Sequence, residues 1–317
     1  MLSRRLIRVK VFKILFGRII AGSDSLVGAE NELIASCEKT LDLYCLMLQL
    51  PIALKRVAEE RIEIGLKKFQ PTEEEANPNR KFVENGFVGI LENDVKFLKS
   101  CESKGLLWRD YEIFVKRLYS TVISRDYYKE YMANEQRSLK EDCALWRNIF
   151  EQELEDNEAL ADILEETSLF WMDDLGYVLG MILKNMGTMA KKQVVALPDV
   201  FQNEDDKAYA KKLLTQSLVK YEEYTKLVAD HVSNWDMERL VATDLALIVM
   251  GITEAVTFET IPLKVTINEF VDISKYYSTA NSRIFVNGLL DKMLQKMYRE
   301  GKIVKSGRGL VGSPEIN

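Results

Sequence analysis

Ile261-Pro262-Leu263-Lys264-Val265-Thr266-Ile267-Asn268-Glu269, followed by a helical pattern and then by Ser282-Arg283-Ile284-Phe285-Val286-Asn287-Gly288-Leu289-Leu290-Asp291, is the stretch that decides the fold. Proline has a fixed φ and no N–H, so Pro262 marks a helix start rather than an interior. Beyond it apolar residues recur at Val265, Ile267, Phe270, Val271, Ile273 and Tyr277, close to a period of about 3.6. The second segment carries its own stripe at Val286, Leu289, Leu290, Met293 and Met297. Periodicity alone predicts two amphipathic helices packed in an all-α domain.

The rest of the chain agrees with that class. Its 317 residues suffice for one large domain or two ordinary ones. All six prolines (51, 71, 78, 198, 262 and 314) fall at expected boundaries, and Leu, Glu, Lys and Ala are abundant. The net charge of −6 excludes bulk electrostatic binding of nucleic acid. The distribution is uneven, however. Residues 1–20 hold six bases and no acid, residues 292–308 hold six bases against Glu300, and residues 151–174 hold ten acids and no base. Basic poles around an acidic middle are a binding-type asymmetry.

Four cysteines (Cys37, Cys45, Cys101, Cys143) show no CxxC pairing and read as reduced core residues of a cytoplasmic protein. The longest uncharged apolar run, Leu245 to Ile252, is too short to cross a bilayer, and Lys10, Lys13 and Arg18 interrupt any signal-peptide core. No phosphate-binding glycine motif, HExxH or CxxC pair occurs. The single histidine, His231, lacks partners at metal-ligand spacing. The chain therefore reads as a binding protein, not an enzyme, with no cofactor and no metal.

Taken in order, residues 3–20 form an amphipathic helix with Ser3 as N-cap. Arg4, Arg5 and Arg8 cluster at its start, where cations oppose the helix dipole by about 0.3–1 kcal/mol. They read either as a phosphate-contacting arm or as a solvated basic face. A second helix covers 29–50, and Pro51 is expected to start a charged helix to about Phe69. Residues 70–80 read as a loop, and further helices as 92–104, 108–124, 138–156, 157–168 and 169–189. Aromatics such as Trp108, Phe114, Trp146 and Phe150 sit at helical spacing and read as core. Residues 204–232 form one long helix and 242–256 a helix buried on most sides. Asp244 in its first turn suits the dipole or contacts a partner. The segment after Met297 reads as disordered.

Asn234 to Leu240 (NWDMERL), the apolar helix ending Ile252-Thr253-Glu254, IPLKVTINEFVDISKYYS and NSRIFVNGLLDK follow one another in an order that resembles the NusB family of transcription antitermination factors. The opening RRLIRVKVFKILF and the Tyr209-Ala210-Lys211-Lys212-Leu213-Leu214 start of the later helix are similar to that family too. Typical members are about half as long. The resemblance thus implies a NusB-like two-bundle helical core in two pieces, 1–50 and 200–298, with a helical insertion at 51–199 and a tail at 299–317.

The family implies binding of boxA-type single-stranded RNA with the ribosomal protein NusE, in an RNA polymerase antitermination complex on ribosomal RNA operons, and no membrane. Carried onto this chain, the RNA-facing residues are Arg4, Arg5, Arg8, Phe16, Asn281, Arg283, Ile284 and Phe285. Glu238 and Asp244 match positions at the partner surface. Phe16 stands where the family often has tyrosine, and Asn281 where it often has an acid. Phe285 reads as a base-stacking ring or as core, and Asn287-Gly288 as support for helix packing. The alternative is a scaffold acting through the acidic part of the insertion. An accessory domain of an RNA methyltransferase is a third reading, opposed by the missing nucleotide-binding glycines.

Overall fold

The computed structural model describes residues 1–23, 25–232 and 241–311. Its helices, in chain order, are α1 (Arg4–Ala21), α2 (Leu26–Leu66), α3 (Glu73–Ala76), α4 (Gly86–Asn93), α5 (Val95–Ser103), α6 (Glu112–Ser124), α7 (Asp126–Ala133) and α8 (Leu139–Glu153). There follow α9 (Glu158–Thr167), α10 (Leu175–Lys192), α11 (Glu204–Val219), α12 (Tyr221–His231), α13 (Ala242–Thr257), α14 (Leu263–Tyr277) and α15 (Ser282–Arg299). No strand occurs among the described residues, so the fold is all-α as expected. None of these helices is long and apolar enough to cross a membrane.

The chain divides into two compact units, Met1–Cys37 with Val200–Asn317, and Glu38–Asp199. The helix start expected at Pro51 is corrected. Pro51 lies inside α2, which runs unbroken over 41 residues. The sequence around it is apolar on enough sides (Leu48, Leu50, Ile52 and Leu54 are buried) for packing to outweigh the lost backbone hydrogen bond.

In the first unit α13 is the central helix. It packs against α1, α11, α12, α14 and α15, and every residue from Ala246 to Ala255 is buried. Gly251 admits this crowding, since a Cβ there would meet the Leu290 side chain of α15 at 2.8 Å. α1 begins as expected, with Ser3 Oγ accepting from the Leu6 N–H, and ends at Gly22 in the left-handed region at φ 62°. Residues 204–232 are not one helix. They break at Lys220 into α11 and α12. Val265, placed in the core by periodicity, is 41% exposed, while Thr266 is buried.

The tail is a second correction. Residues 302–311 are not structureless but close the C-terminal end of α13. Lys305 Nζ donates to the Ala255 and Phe258 carbonyls at 2.8 and 2.9 Å, satisfying groups a helix end leaves open. Ser306 N donates to Glu259 O at 3.1 Å. Burial pushes the Lys305 ammonium down to about 8, against the carboxylates of Glu254 and Glu259. An unfolded chain holds that proton up to about 10.4. Between these values the unfolded state binds the extra proton, so stability rises with pH across the window and is lowest below it. The urea midpoint of the wild type is expected to rise relative to that of Lys305→Met between about pH 7.5 and 10. Parallel pH profiles for the two proteins would remove Lys305 from that role.

In the second unit α4, α6 and α7 gather on α8, and α10 packs on α8 and α4. The aromatics expected in the core are there. Trp146 contacts Phe82 and Phe150, and Trp108 stacks on Phe114 with ring centroids 5.5 Å apart. None of the four cysteines forms a disulfide; Cys37, Cys45 and Cys101 are buried and Cys143 partly so.

Candidate nucleic-acid interface

The turn from α14 into α15 is built on one buried carboxylate. Asp244, in the first turn of α13, accepts from Ser278 Oγ at 2.6 Å and from Ser282 Oγ at 2.8 Å. Ser278 also meets Thr243 Oγ1 at 2.8 Å. These bonds fix the corner that carries residues 279–285. Asp244 is thus corrected from a partner-facing acid to a buried support. Its carboxylate is committed to hydroxyls of the chain itself and offers no face to a second protein. Glu238 lies outside the described residues.

The corner presents the expected residues on α15. Asn281 and Arg283 are exposed, Ile284 is 76% exposed, and Phe285 is half-buried. Two clefts flank them. One, of about 530 Å³, is walled by Ile284, Phe285 and Leu289, with Asn281, Gly288 and Lys292 along it. The other, of about 690 Å³, lies between α14 and α15 and is lined by Asn268, Asp272, Lys275, Arg283, Ile284 and Asn287. Ile284 belongs to both, so it forms the ridge that separates them.

α1 brings a further cation to Asp272 in the wall of the second cleft. Arg5 Nη1 stands 3.3 Å from Asp272 Oδ2. Lys275, which hydrogen-bonds Asp272, together with Arg5 holds the Asp272 carboxyl below the usual range. Arg283 lines that cleft with Asp272 and Lys275, and Arg5 is tied to it only through Asp272. Among the residues that line it, the cations Lys275 and Arg283 outnumber the one carboxylate, Asp272.

The other two arginines of α1 behave differently. Arg4 is exposed, yet its Nε pairs with Asp206 at 2.8 Å and its guanidinium lies 5.0 Å from the Tyr209 ring centre. Arg8 is corrected outright. It is 3% exposed, its Nε donates to Glu254 Oε1 at 2.7 Å, and its Nη1 stands 3.4 Å from Glu269 Oε2. A guanidinium enclosed by two carboxylates has no edge left for a phosphate. Burial disfavours its charge, but Glu254 and then Tyr209 and Glu269 outweigh that and hold its pKa above the ordinary arginine value. The Tyr209 hydroxyl donates to the same Glu254 oxygen, and Thr266 Oγ1 donates to the other at 2.7 Å. Burial and Glu254 keep the Tyr209 phenol protonated well above its usual range. The bases at the start of α1 thus find acids on α11, α14 and α13, which answers the unfavourable helix dipole.

Phe16 is half-buried and stacks on Phe12, with centroids 6.0 Å apart; Phe12 in turn meets Tyr277 at 5.4 Å. It is anchored among aromatics and does not line either cleft. Sequence reading missed Asp272, Lys275 and Lys292, and read Asn287, which lines the second cleft, as support for helix packing. The signal was available for two of them: Asn287 lies four residues after Arg283, and Lys292 seven after Phe285, on the same helix faces. Among the described residues no group of three metal-ligating side chains occurs.

A sequence model of the NusB family matches residues 189–295, which includes the corner and both clefts but not α1. The chain is 36% identical over 129 residues to the transcription antitermination protein NusB of Salinibacter ruber, covering 40% of this chain and 81% of that protein. To the protein of the same name from Chloroherpeton thalassium it is 34% identical over 116 residues, 37% of this chain and 55% of the other. To that of Thermodesulfovibrio yellowstonii it is 34% identical over 95 residues, 30% and 63%. No solved structure matches it.

Proposed function

Since the chain belongs to the NusB family, we propose that it is an RNA-binding transcription antitermination factor. The family's proteins are transcription factors rather than enzymes, and so is this chain. Its RNA is boxA-type and single-stranded, and its partner is the ribosomal protein NusE within an RNA polymerase antitermination complex on ribosomal RNA operons. That work belongs in the cytoplasm. Residues 38–199 are the extra length of a long form of the family.

One observation carries the reading: a cleft lined by Arg283 and Lys275, whose Asp272 also holds Arg5, lies beside an apolar cleft walled by Phe285. Single-stranded RNA offers phosphates and unstacked bases side by side, and a charged groove next to an aromatic wall matches both. Arg4 adds a phosphate contact only by leaving Asp206. NusE meets surface other than Asp244, whose carboxylate is enclosed.

Fluorescence anisotropy with boxA and sequence-scrambled oligoribonucleotides, with and without NusE, tests the proposal. BoxA is expected to bind more tightly, and NusE to tighten it further. Equal affinity for the scrambled RNA would overturn the boxA assignment. Phe285→Ala is expected to weaken binding by about 1–3 kcal/mol while the thermal midpoint holds. A midpoint that falls with the affinity would return Phe285 to the core.

A further inference from the structure

The basic run over residues 292–308 lies largely outside the corner. α15 carries the first part of it and sets its geometry. Phe285, Gly288, Lys292, Lys296 and Arg299 follow one another at spacings of three and four, so they share one stripe of the helix surface. The upper part of that stripe belongs to the apolar cleft, which Phe285, Gly288 and Lys292 line. Lys296 and Arg299 continue the stripe beyond the cleft, and both are exposed. From Phe285 to Arg299 the stripe is roughly 21 Å long.

Two observations set these cations apart. The first is that they are open. Lys292 and Arg299 make no ion pair among the described residues. Arg4, Arg5, Arg8, Arg18 and Lys275 of the same unit each hold an acid. Lys296 lies 3.9 Å from Glu300, but Lys302 holds that carboxylate closer, at 2.7 Å. The other acid of the helix, Asp291, accepts from Gln295 and stands about 100° round the axis from Lys292. The second observation is position. Cations in the last turn of a helix answer its dipole, which accounts for Lys296 and Arg299. Lys292 lies before that turn, where the dipole effect has faded, and its place is the edge of the cleft that Phe285 walls.

An aromatic wall that runs on into a line of open cations matches a single strand that continues past its stacked base, since phosphates follow whatever base comes next. We propose that α15 is the floor of an extended RNA track, in which nucleotides flanking the segment held at the corner lay their phosphates on Lys292, Lys296 and Arg299. This rests on the corner being an RNA site. Phosphate contacts carry no sequence information, so the track adds affinity without reading bases.

Fluorescence anisotropy of the full chain with a boxA oligoribonucleotide, bare or extended by about six uridines at its 5′ or its 3′ end, tests this. Extension at one end is expected to tighten binding roughly tenfold at low salt and to steepen the salt dependence by about 0.7 in slope for each cation engaged. Lys292→Gln with Lys296→Gln and Arg299→Gln should abolish that gain while the thermal midpoint holds, and Lys292→Gln alone should remove about 0.7 of the added slope. Lys292→Arg with Arg299→Lys keeps the charges and should keep the gain. No gain at either end, or a gain that survives the triple substitution, overturns the track and leaves the corner. A gain lost in the triple variant, with boxA bound no better than scrambled RNA, upholds the track and removes only the boxA assignment. Absence of any RNA binding overturns both.

Discussion

Replacing Glu254 with leucine is expected to cost about 3–5 kcal/mol of folding stability, the largest effect of any single substitution in the first unit. Glu254 is fully buried and takes hydrogen bonds from Arg8, Tyr209 and Thr266. Leucine would leave a buried guanidinium with only the more distant Glu269, and two hydroxyls with no acceptor. Urea unfolding near pH 7 measures the loss. Adding Arg8→Met removes the stranded charge, so the double variant should recover a large part of it. A loss below about 1 kcal/mol, or a double variant no better than the single one, would mean that the ion pair does not hold α1 to α13.

The second large effect is on RNA. Arg5→Glu with Arg283→Glu should lower affinity for boxA RNA roughly hundredfold at moderate salt and flatten the salt dependence by about 0.7 in slope for each phosphate that is no longer neutralised. The pair Arg5 makes with Asp272 is exposed, so stability should change by no more than about 1 kcal/mol. Arg4→Glu is expected to act more weakly on RNA, because Arg4 is engaged with Asp206 and Tyr209. If Arg4→Glu equals the double variant, the phosphate path runs over α11 instead of the cleft between α14 and α15.

These predictions separate residues that the sequence had grouped. Arg4, Arg5 and Arg8 share one helical turn and one charge, and spacing alone gives all three the same role. What parts them is tertiary: acids from α11, α14 and α13, more than 200 residues away by their numbers, meet them at different depths. Asp244 likewise reads as an exposed first-turn acid until Ser278 and Ser282 are seen to close over it. The helices themselves were legible, because periodicity and caps are local. Ser3, Pro262 and the α13 run mark their elements where expected. Pro51 failed for the opposite reason. A breaker is a local signal, and burial on both sides overrides it. The tail failed because low periodicity was read as low structure, whereas Lys305 is held by two carbonyls that sequence gives no means to pair with it.

The first unit is discontinuous, and that sets an order of events. Arg8 and Glu254 are 246 residues apart. At a synthesis rate of about 5–20 residues per second, α1 leaves the ribosome roughly 10–50 s before the helix it must pack against. Residues 38–199 are complete by then and have their own core to close. During most of that wait Arg4, Arg5 and Arg8 have none of their acids, while Arg18 already has Glu32 of α2. A nascent chain of this protein is therefore most exposed to misassembly and to chaperone capture at its first helix, and the risk ends only when α13 arrives.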